Sequence, residues 1–359
     1  MSFTNLLCTA GLLALSASPA LAAIDWSNPQ YDILLLPGDI TPVTGAGVAN
    51  LGTLDVDPNG DIIFYDSGNF TGATGSLLKA DVSGATPVIT RIIGEGALLA
   101  AANPASTVIN ANGLHVIPGT GSGVEYVLTS FNGSIDDVLR VTPGSPATAI
   151  QIAGTDGING LAADGNTLYV AVEAAFGAAE DAVIQVDLAG TTSTYVSSAN
   201  IFAVTGGSGE INGIATTASG DVVFFSEGFF GGSDSILSAS APGVVSEIVP
   251  ATEPPSAMGL NEIAISPDGV FFLWDQFPAG SGARLLIREP GGVYTTLLEA
   301  DIRAALSLPS NMGVSAGSMA VYVPNAFTVD LLIADNANDE ILRLRFTDPS
   351  SVTDWSVLD

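Results

Sequence analysis

Six times along this chain the same theme returns, and a repeat of that kind constrains the fold more than any single residue does. Each unit opens on Asn or Gly and runs through an apolar strand. It then turns, often on Gly, and continues into a second apolar strand ending on an acidic or small residue. The units open at Gly52, Asn112, Asn159, Asn212, Asn261 and Gly317, with spacings of 60, 47, 53, 49 and 56 residues. That is a little longer than a typical propeller blade of about 40–50 residues. A third strand follows in each unit, as in Ser76-Leu-Leu-Lys-Ala, Arg284-Leu-Leu-Ile-Arg and Glu340-Ile-Leu-Arg-Leu. Pro58-Asn-Gly60 and Pro267-Asp-Gly269 read as hairpin turns, because Asn and Gly tolerate positive φ. The expectation is an all-β chain, a six-bladed β-propeller. The sixth unit has three strands, and Tyr31-Asp-Ile-Leu-Leu-Leu near the N-terminus supplies the missing outer one. Completing the last blade this way closes the ring and removes exposed edges. Residues 298–308 read as a helix, and the insertion at 94–105 as a short helix or a lid.

Composition narrows the class. Residues 1–22 read as a secretory signal peptide, with Ala20-Leu-Ala22 as the cleavage signature, although its start lacks Lys and Arg. The remaining residues 23–359 are expected to form one propeller domain, secreted or periplasmic and monomeric. A hydrophobic content of 47% and a mean hydropathy of +0.45 exclude disorder. No apolar run after the leader reaches the ~18 residues of a membrane helix. The 41 Gly, 20 Pro and 13% charged residues argue against a coiled coil or helical bundle. The one cysteine, Cys8, lies in the leader, so the mature chain has no disulfide or thiolate chemistry.

Asp and Glu total 37 while Lys and Arg total 8, giving a formal charge of −29, and Lys79 is the only lysine. Such a surface repels nucleic acid and anionic membranes. It suits either a salty or acidic exterior or selective cation binding.

The last unit, Leu331-Leu-Ile-Ala-Asp-Asn-Ala-Asn-Asp-Glu-Ile-Leu-Arg-Leu, resembles an NHL-type repeat. The openings Asn159-Gly-Leu-Ala, Asn212-Gly-Ile-Ala and Asn261-Glu-Ile-Ala-Ile-Ser-Pro-Asp-Gly resemble those of the gluconolactonase, senescence-marker and paraoxonase group. The resemblance spans about 300 residues at the level of pattern. It implies a divalent cation, usually calcium, in the central channel, held by Asn side chains at the starts of inner strands together with acidic residues. Calcium takes six to eight hard oxygens, and carboxamide oxygens qualify. The implied set here is Asn112, Asn159, Asn212 and Asn261, with Glu210 and Glu262 beside them. Asn before Gly also makes a turn into a strand, and the two roles are compatible. Two positions depart from the family. Gly52 stands where a glutamate ligand is usual, and Asn112 stands where paraoxonase-like members carry histidine.

The only histidine, His115, shares its repeat position with Asp55, where other units have Ala162, Ala215, Ala264 and Ala320. An Asp–His pair there is a candidate general base, or else a satisfied channel histidine. Acidic residues end several second strands: Asp66, Glu173, Glu227, Asp275 and Asp335. They either satisfy backbone N–H groups of the following turn or meet a cation or substrate. Phe131, Phe176, Phe229, Phe230 and Phe277 follow these ends and form a rim surface or pack under their loops. No phosphate loop, Cys/His zinc pattern, G-x-S-x-G elbow or basic aromatic stretch is present. Two functions are carried forward. One is a binding propeller for a small molecule, glycan or protein at rim or channel, with calcium on the axis. The other is a calcium-dependent lactonase or ester hydrolase.

Overall fold

The computed structural model describes residues 24–69, 74–102, 108–118, 124–130, 136–151, 157–172, 181–206, 209–228, 234–253, 259–276, 282–308 and 313–351. The expected leader lies outside them. Among the described residues, six four-stranded antiparallel sheets stand in a ring, the six-bladed β-propeller that the repeat predicts. The inner strands, in blade order, are Leu51–Val56, Leu114–Pro118, Ile158–Asp164, Gly209–Thr216, Leu260–Ile265 and Ala316–Asn325. Each is followed outward by a second and a third strand, such as Phe271–Asp275 and Arg284–Arg288 in blade 5, or Thr328–Asp335 and Glu340–Thr347 in blade 6. The outer strand of blade 6 is Gln30–Leu35, antiparallel to Glu340–Thr347 with Tyr31 opposite Leu344. The ring therefore closes through the N-terminal strand, as expected. Asp32 accepts from Arg343 Nε (3.1 Å) and Nη2 (2.5 Å) across that pairing.

The apolar core is divided into six wedges, one between each pair of neighbouring blades. Leu54, Phe64 and Leu78 of blade 1 pack on Ala320, Leu332 and Ile341 of blade 6. Successive side chains of a strand point to opposite faces, so each blade feeds both of its neighbours. This explains why the second strands are largely apolar rather than alternating: Ile62–Asp66 and Phe271–Asp275 are buried at every position. Trp26, ahead of the closing strand, packs on Phe272 and Phe346 at ring-centroid distances of 5.7 and 5.3 Å.

The two expected turns form. Gly60 and Gly269 have φ of 88° and 87°, and their N–H groups donate to Asp57 O and Ser266 O, each at 2.9 Å. Four short helices occupy crossovers between blades: α1 (Pro37–Thr44), α2 (Glu95–Ala101), α3 (Ser198–Thr205) and α4 (Glu299–Ala305). The expected helices at 94–105 and 298–308 are α2 and α4. Helices α1 and α3 are additional. A capping box starts α3: Asn200 Oδ1 accepts the Ser197 N–H at 2.9 Å and Ser197 Oγ accepts the Asn200 N–H at 3.4 Å.

Lys79 bridges Asp57 (2.9 Å) and Asp61, tying the third strand of blade 1 to its first hairpin. Burial pushes the Asp57 carboxyl up, but Lys79 and the Asn59 and Asp61 N–H groups outweigh it and hold it below the ordinary value. A carboxyl lowered in the folded state contributes stability above its unfolded value, and that contribution is lost as pH falls through the folded one. Lys79→Met is therefore expected to lower the urea midpoint at pH 7. The difference from the parent should vanish on acidification below the carboxylate range, as a pH series of urea titrations would read.

Candidate functional site

Each inner strand turns one edge toward the axis with no strand beside it. Backbone groups on that edge must find other partners. Side chains reaching from blade to blade supply them. Asn112 Nδ2 donates to Ile158 O (3.3 Å), Asn261 Nδ2 to Ala316 O (3.0 Å) and Thr216 Oγ1 to Ala163 O (2.7 Å). Ser318 Oγ lies 3.3 Å from both the N and O of Leu54. Asp55 Oδ2 accepts the Val116 N–H at 2.7 Å.

Asn159 and Asn261 are not turns into a strand but lie at bulges within it; Asn212 is paired with Phe225 just before a bulge, and Asn112 lies at a bend ahead of Leu114–Pro118. Register slips between Ile158 and Gly160, between Asn212 and Ile214, and between Leu260 and Glu262. Blades 1 and 6 slip at Leu51/Thr53 and Ala316/Ser318. A bulge leaves one residue unpaired and re-aims its side chain. Of the two blades with glycine at this position, blade 1 has no room for more: a Cβ on Gly52 would sit 2.8 Å from Ala111 O, whereas one on Gly317 would meet only the exposed Asn336 side chain. The carboxylate of the family pattern is thus replaced in blade 1 by a close approach of two backbones.

A cavity of about 200 Å³ lies on the axis, lined by inner-strand residues of all six blades. Asp55, Asn112, His115, Asn159 and Glu262 line it together with apolar residues such as Leu54, Ile214 and Met319. No aromatic side chain is among the described residues that line it. Asn261 is not among them either; its amide serves the blade 6 carbonyl. Asn212 and Glu210 lie on the blade 4 inner strand, and their side chains fall outside the described residues.

His115 Nδ1 is 3.1 Å from Asp55 Oδ2. A proton on Nδ1 satisfies that contact and leaves Nε2 without a partner among the described residues. Glu262 comes from blade 5, across the ring from the blade that carries His115. It makes no hydrogen bond or ion pair with any described residue. It lines the cavity, and burial alone pushes its carboxyl well above the ordinary value. Among the described residues no three carboxylate or imidazole groups form a metal-ligand cluster, so a cation on the axis needs amide oxygens and water as well. Asn112 spends its Nδ2 on the neighbouring blade and keeps Oδ1 as an acceptor. That donor set, a carboxamide oxygen and a carboxylate lining one cavity, fits a hard cation.

The strand-end acids take backbone roles where they are described. Asp66 accepts the N–H groups of Asn50 (2.6 Å) and Gly68 (3.1 Å), and Asp335 those of Ser315 (2.9 Å) and Ala337 (3.0 Å). Asp275 instead pairs with Arg284. Glu173, the Glu227 side chain and the five loop phenylalanines lie outside the described residues. Sequence reasoning missed Thr216 and Ser318; their signal is a hydroxyl inside an otherwise apolar inner strand.

No family model matches the chain, and no curated protein matches it. Solved structures do. A luciferin-regenerating enzyme aligns with a TM-score of 0.54 at 13% identity, over 90% of this chain and 96% of that one. A gluconolactonase from Xanthomonas campestris aligns at 0.53 and 11% identity, over 90% and 96%. A Hadza microbial sialidase aligns at 0.53 and 10%, over 85% and 66%. At these identities the likeness is one of fold.

The bulge geometry is open to a direct check. Gly52→Ala places a methyl against the Ala111 carbonyl and should cost about 1–3 kcal/mol. The urea midpoint should fall with an unchanged slope, and an unchanged midpoint would mean that the two backbones are free to separate.

Proposed function

We propose that the axial cavity is a binding site for a small molecule, served by a divalent cation held by Asn112, Asn159 and Glu262. Calcium is the ion these donors suit. The observation that carries this reading is Glu262, a carboxylate facing the cavity with no base, donor or ion pair to compensate it. An exported protein with a deficit of bases would meet calcium outside the cell. When bound, the cation would polarise an oxygen of the ligand. Asn112 and Asn159 would hold the cation while Asn112, through its Nδ2, keeps blade 2 in register with blade 3. The cavity volume suits a molecule of monosaccharide or lactone size.

Thermal unfolding of the chelator-stripped mature protein tests it. A ligand binding only the native state adds RT ln(1 + [L]/Kd), about 2.7 kcal/mol at one hundred times Kd. The midpoint should rise with calcium, and Asn159→Ala/Glu262→Gln should abolish the part of the rise due to the axis. A calcium response identical in that variant and the parent would remove the axial cation.

One observation favours a second reading, a calcium-dependent lactonase or ester hydrolase. Asp55 orients His115 in the same cavity with Nε2 available to take a proton from water. The fold likeness to a gluconolactonase and a luciferin-regenerating enzyme makes lactones and esters the sensible panel. Under this reading His115→Gln loses at least about a hundredfold in turnover while the calcium-dependent midpoint stays. A panel with no turnover by the calcium-loaded parent leaves the binding function alone.

A further inference from the structure

In every blade the end of the second strand faces the start of the third. In blade 5 the facing residues are Asp275 and Arg284. Asp275 is fully buried, and Arg284 neutralises it at 2.9 Å from Nε and 2.8 Å from Nη2. In blade 6 the same two register positions hold Asp335 and Glu340. The sheet has kept the buried carboxylate and exchanged its counter-ion for a second acid.

Asp335 is satisfied: Oδ1 accepts two backbone N–H groups, and Oδ2 accepts Asn338 Nδ2 at 2.6 Å. Glu340 is not. Glu340 Oε2 and Asn338 Oδ1 are both buried without a partner, on residues 8% and 7% exposed. Across the junction with blade 1, Asp66 is held by the N–H groups of Asn50 and Gly68 and by the Thr44 hydroxyl. Asp339, held at a φ of 56°, accepts the Leu51 N–H of blade 1 at 3.2 Å. No base relieves this group. Lys79, Arg140, Arg284, Arg288, Arg303, Arg343 and Arg345 pair with other acids, and Arg91 donates to Val43 O. These eight are every lysine and arginine in the chain. Like charges directly opposite in a sheet destabilise it, and a buried carboxylate without a counter-charge is costly.

We propose that a calcium ion binds at the turn formed by residues 335–340, at the junction of blades 6 and 1. It supplies there the positive charge that Arg284 supplies in blade 5. Glu340 Oε2 and Asn338 Oδ1, both beside Asp335, are its protein ligands within the turn. The carboxylates alone do not form a three-ligand cluster, so the amide oxygen and water complete the shell, as a flexible calcium site permits. This ion is separate from the axial one. It would hold the last hairpin of the chain, whose Asp339 accepts the Leu51 N–H of the first blade, where the ring closes.

Glu340→Arg rebuilds the blade 5 arrangement and makes the proposal testable. The experiment uses the mature Asn159→Ala/Glu262→Gln protein, stripped of metal, so that the axial cavity contributes nothing. Calcium at one hundred times Kd should raise its midpoint by about 3–5 °C, with one ion bound per chain by calorimetric titration. Adding Glu340→Arg should abolish both the shift and the bound ion, and should raise the calcium-free midpoint above that of its parent. Glu340→Gln, which keeps the shape, should abolish the shift as well, so the test stands even where the arginine fails to fold. A calcium shift that survives both substitutions would overturn the proposal. So would the absence of any bound calcium in the metal-stripped Asn159→Ala/Glu262→Gln protein.

Discussion

A propeller hides its outer seam by closing the ring, but it cannot hide the inner edges of its blades. Six inner strands each present unpaired N–H and C=O groups toward the axis, and those groups set much of what surrounds them. The amides of Asn112 and Asn261, the hydroxyls of Thr216 and Ser318 and the carboxylate of Asp55 all reach to a neighbouring inner strand. These are the same residue types that a ligand site uses. A polar residue on the axis is therefore a functional candidate only for whatever valence the fold leaves unspent. By that measure the axial cavity narrows to Glu262, His115 Nε2 and the amide oxygens that the inter-blade bonds leave over.

The scarcity of bases gives the same selection a second form. With −29 formal charges and eight bases, the chain spends its cations internally, on Asp57, Asp61, Asp275, Asp330 and a few others. Carboxylates that face solvent need none of them. The ones that stand out are buried or enclosed and still uncompensated, at Glu262 and at Glu340. Glu340 shares its turn with the Asn338 amide, and Glu262 shares its cavity with Asn112 and Asn159. These are the two places where a cation would relieve a defined electrostatic cost.

The ring and its blades were legible in the sequence because the second strands are buried on both faces, as at Ile62–Asp66 and Phe271–Asp275, and appear as short apolar runs, each preceded by an inner strand that opens on a recurring Asn or Gly. Outer strands were less legible. Val88–Gly94 and Val244–Val249 are mostly half-exposed or exposed, so their composition is that of an ordinary surface. Helices α1 and α3 were not legible: α1 carries Pro42 and buries only Ile40 and Thr44, and α3 buries only Ile201. The Asn series was visible as a series, but a bulge is a relation between two strands and has no local signature. The Asp55–His115 pair showed itself against four alanines at its repeat position, and the structure places the two side chains in contact. Asp335 and Glu340 were equally present in the sequence. Only the register of the sheet reveals that they occupy the places of Asp275 and Arg284.

Anomalous diffraction from crystals of the protein grown with terbium, a calcium substitute, would test the central claim most directly. The account predicts a strong peak in the axial cavity within bonding distance of Glu262, and a second beside Glu340. Peaks confined to exposed surface carboxylates, with a water-filled axis, would contradict it.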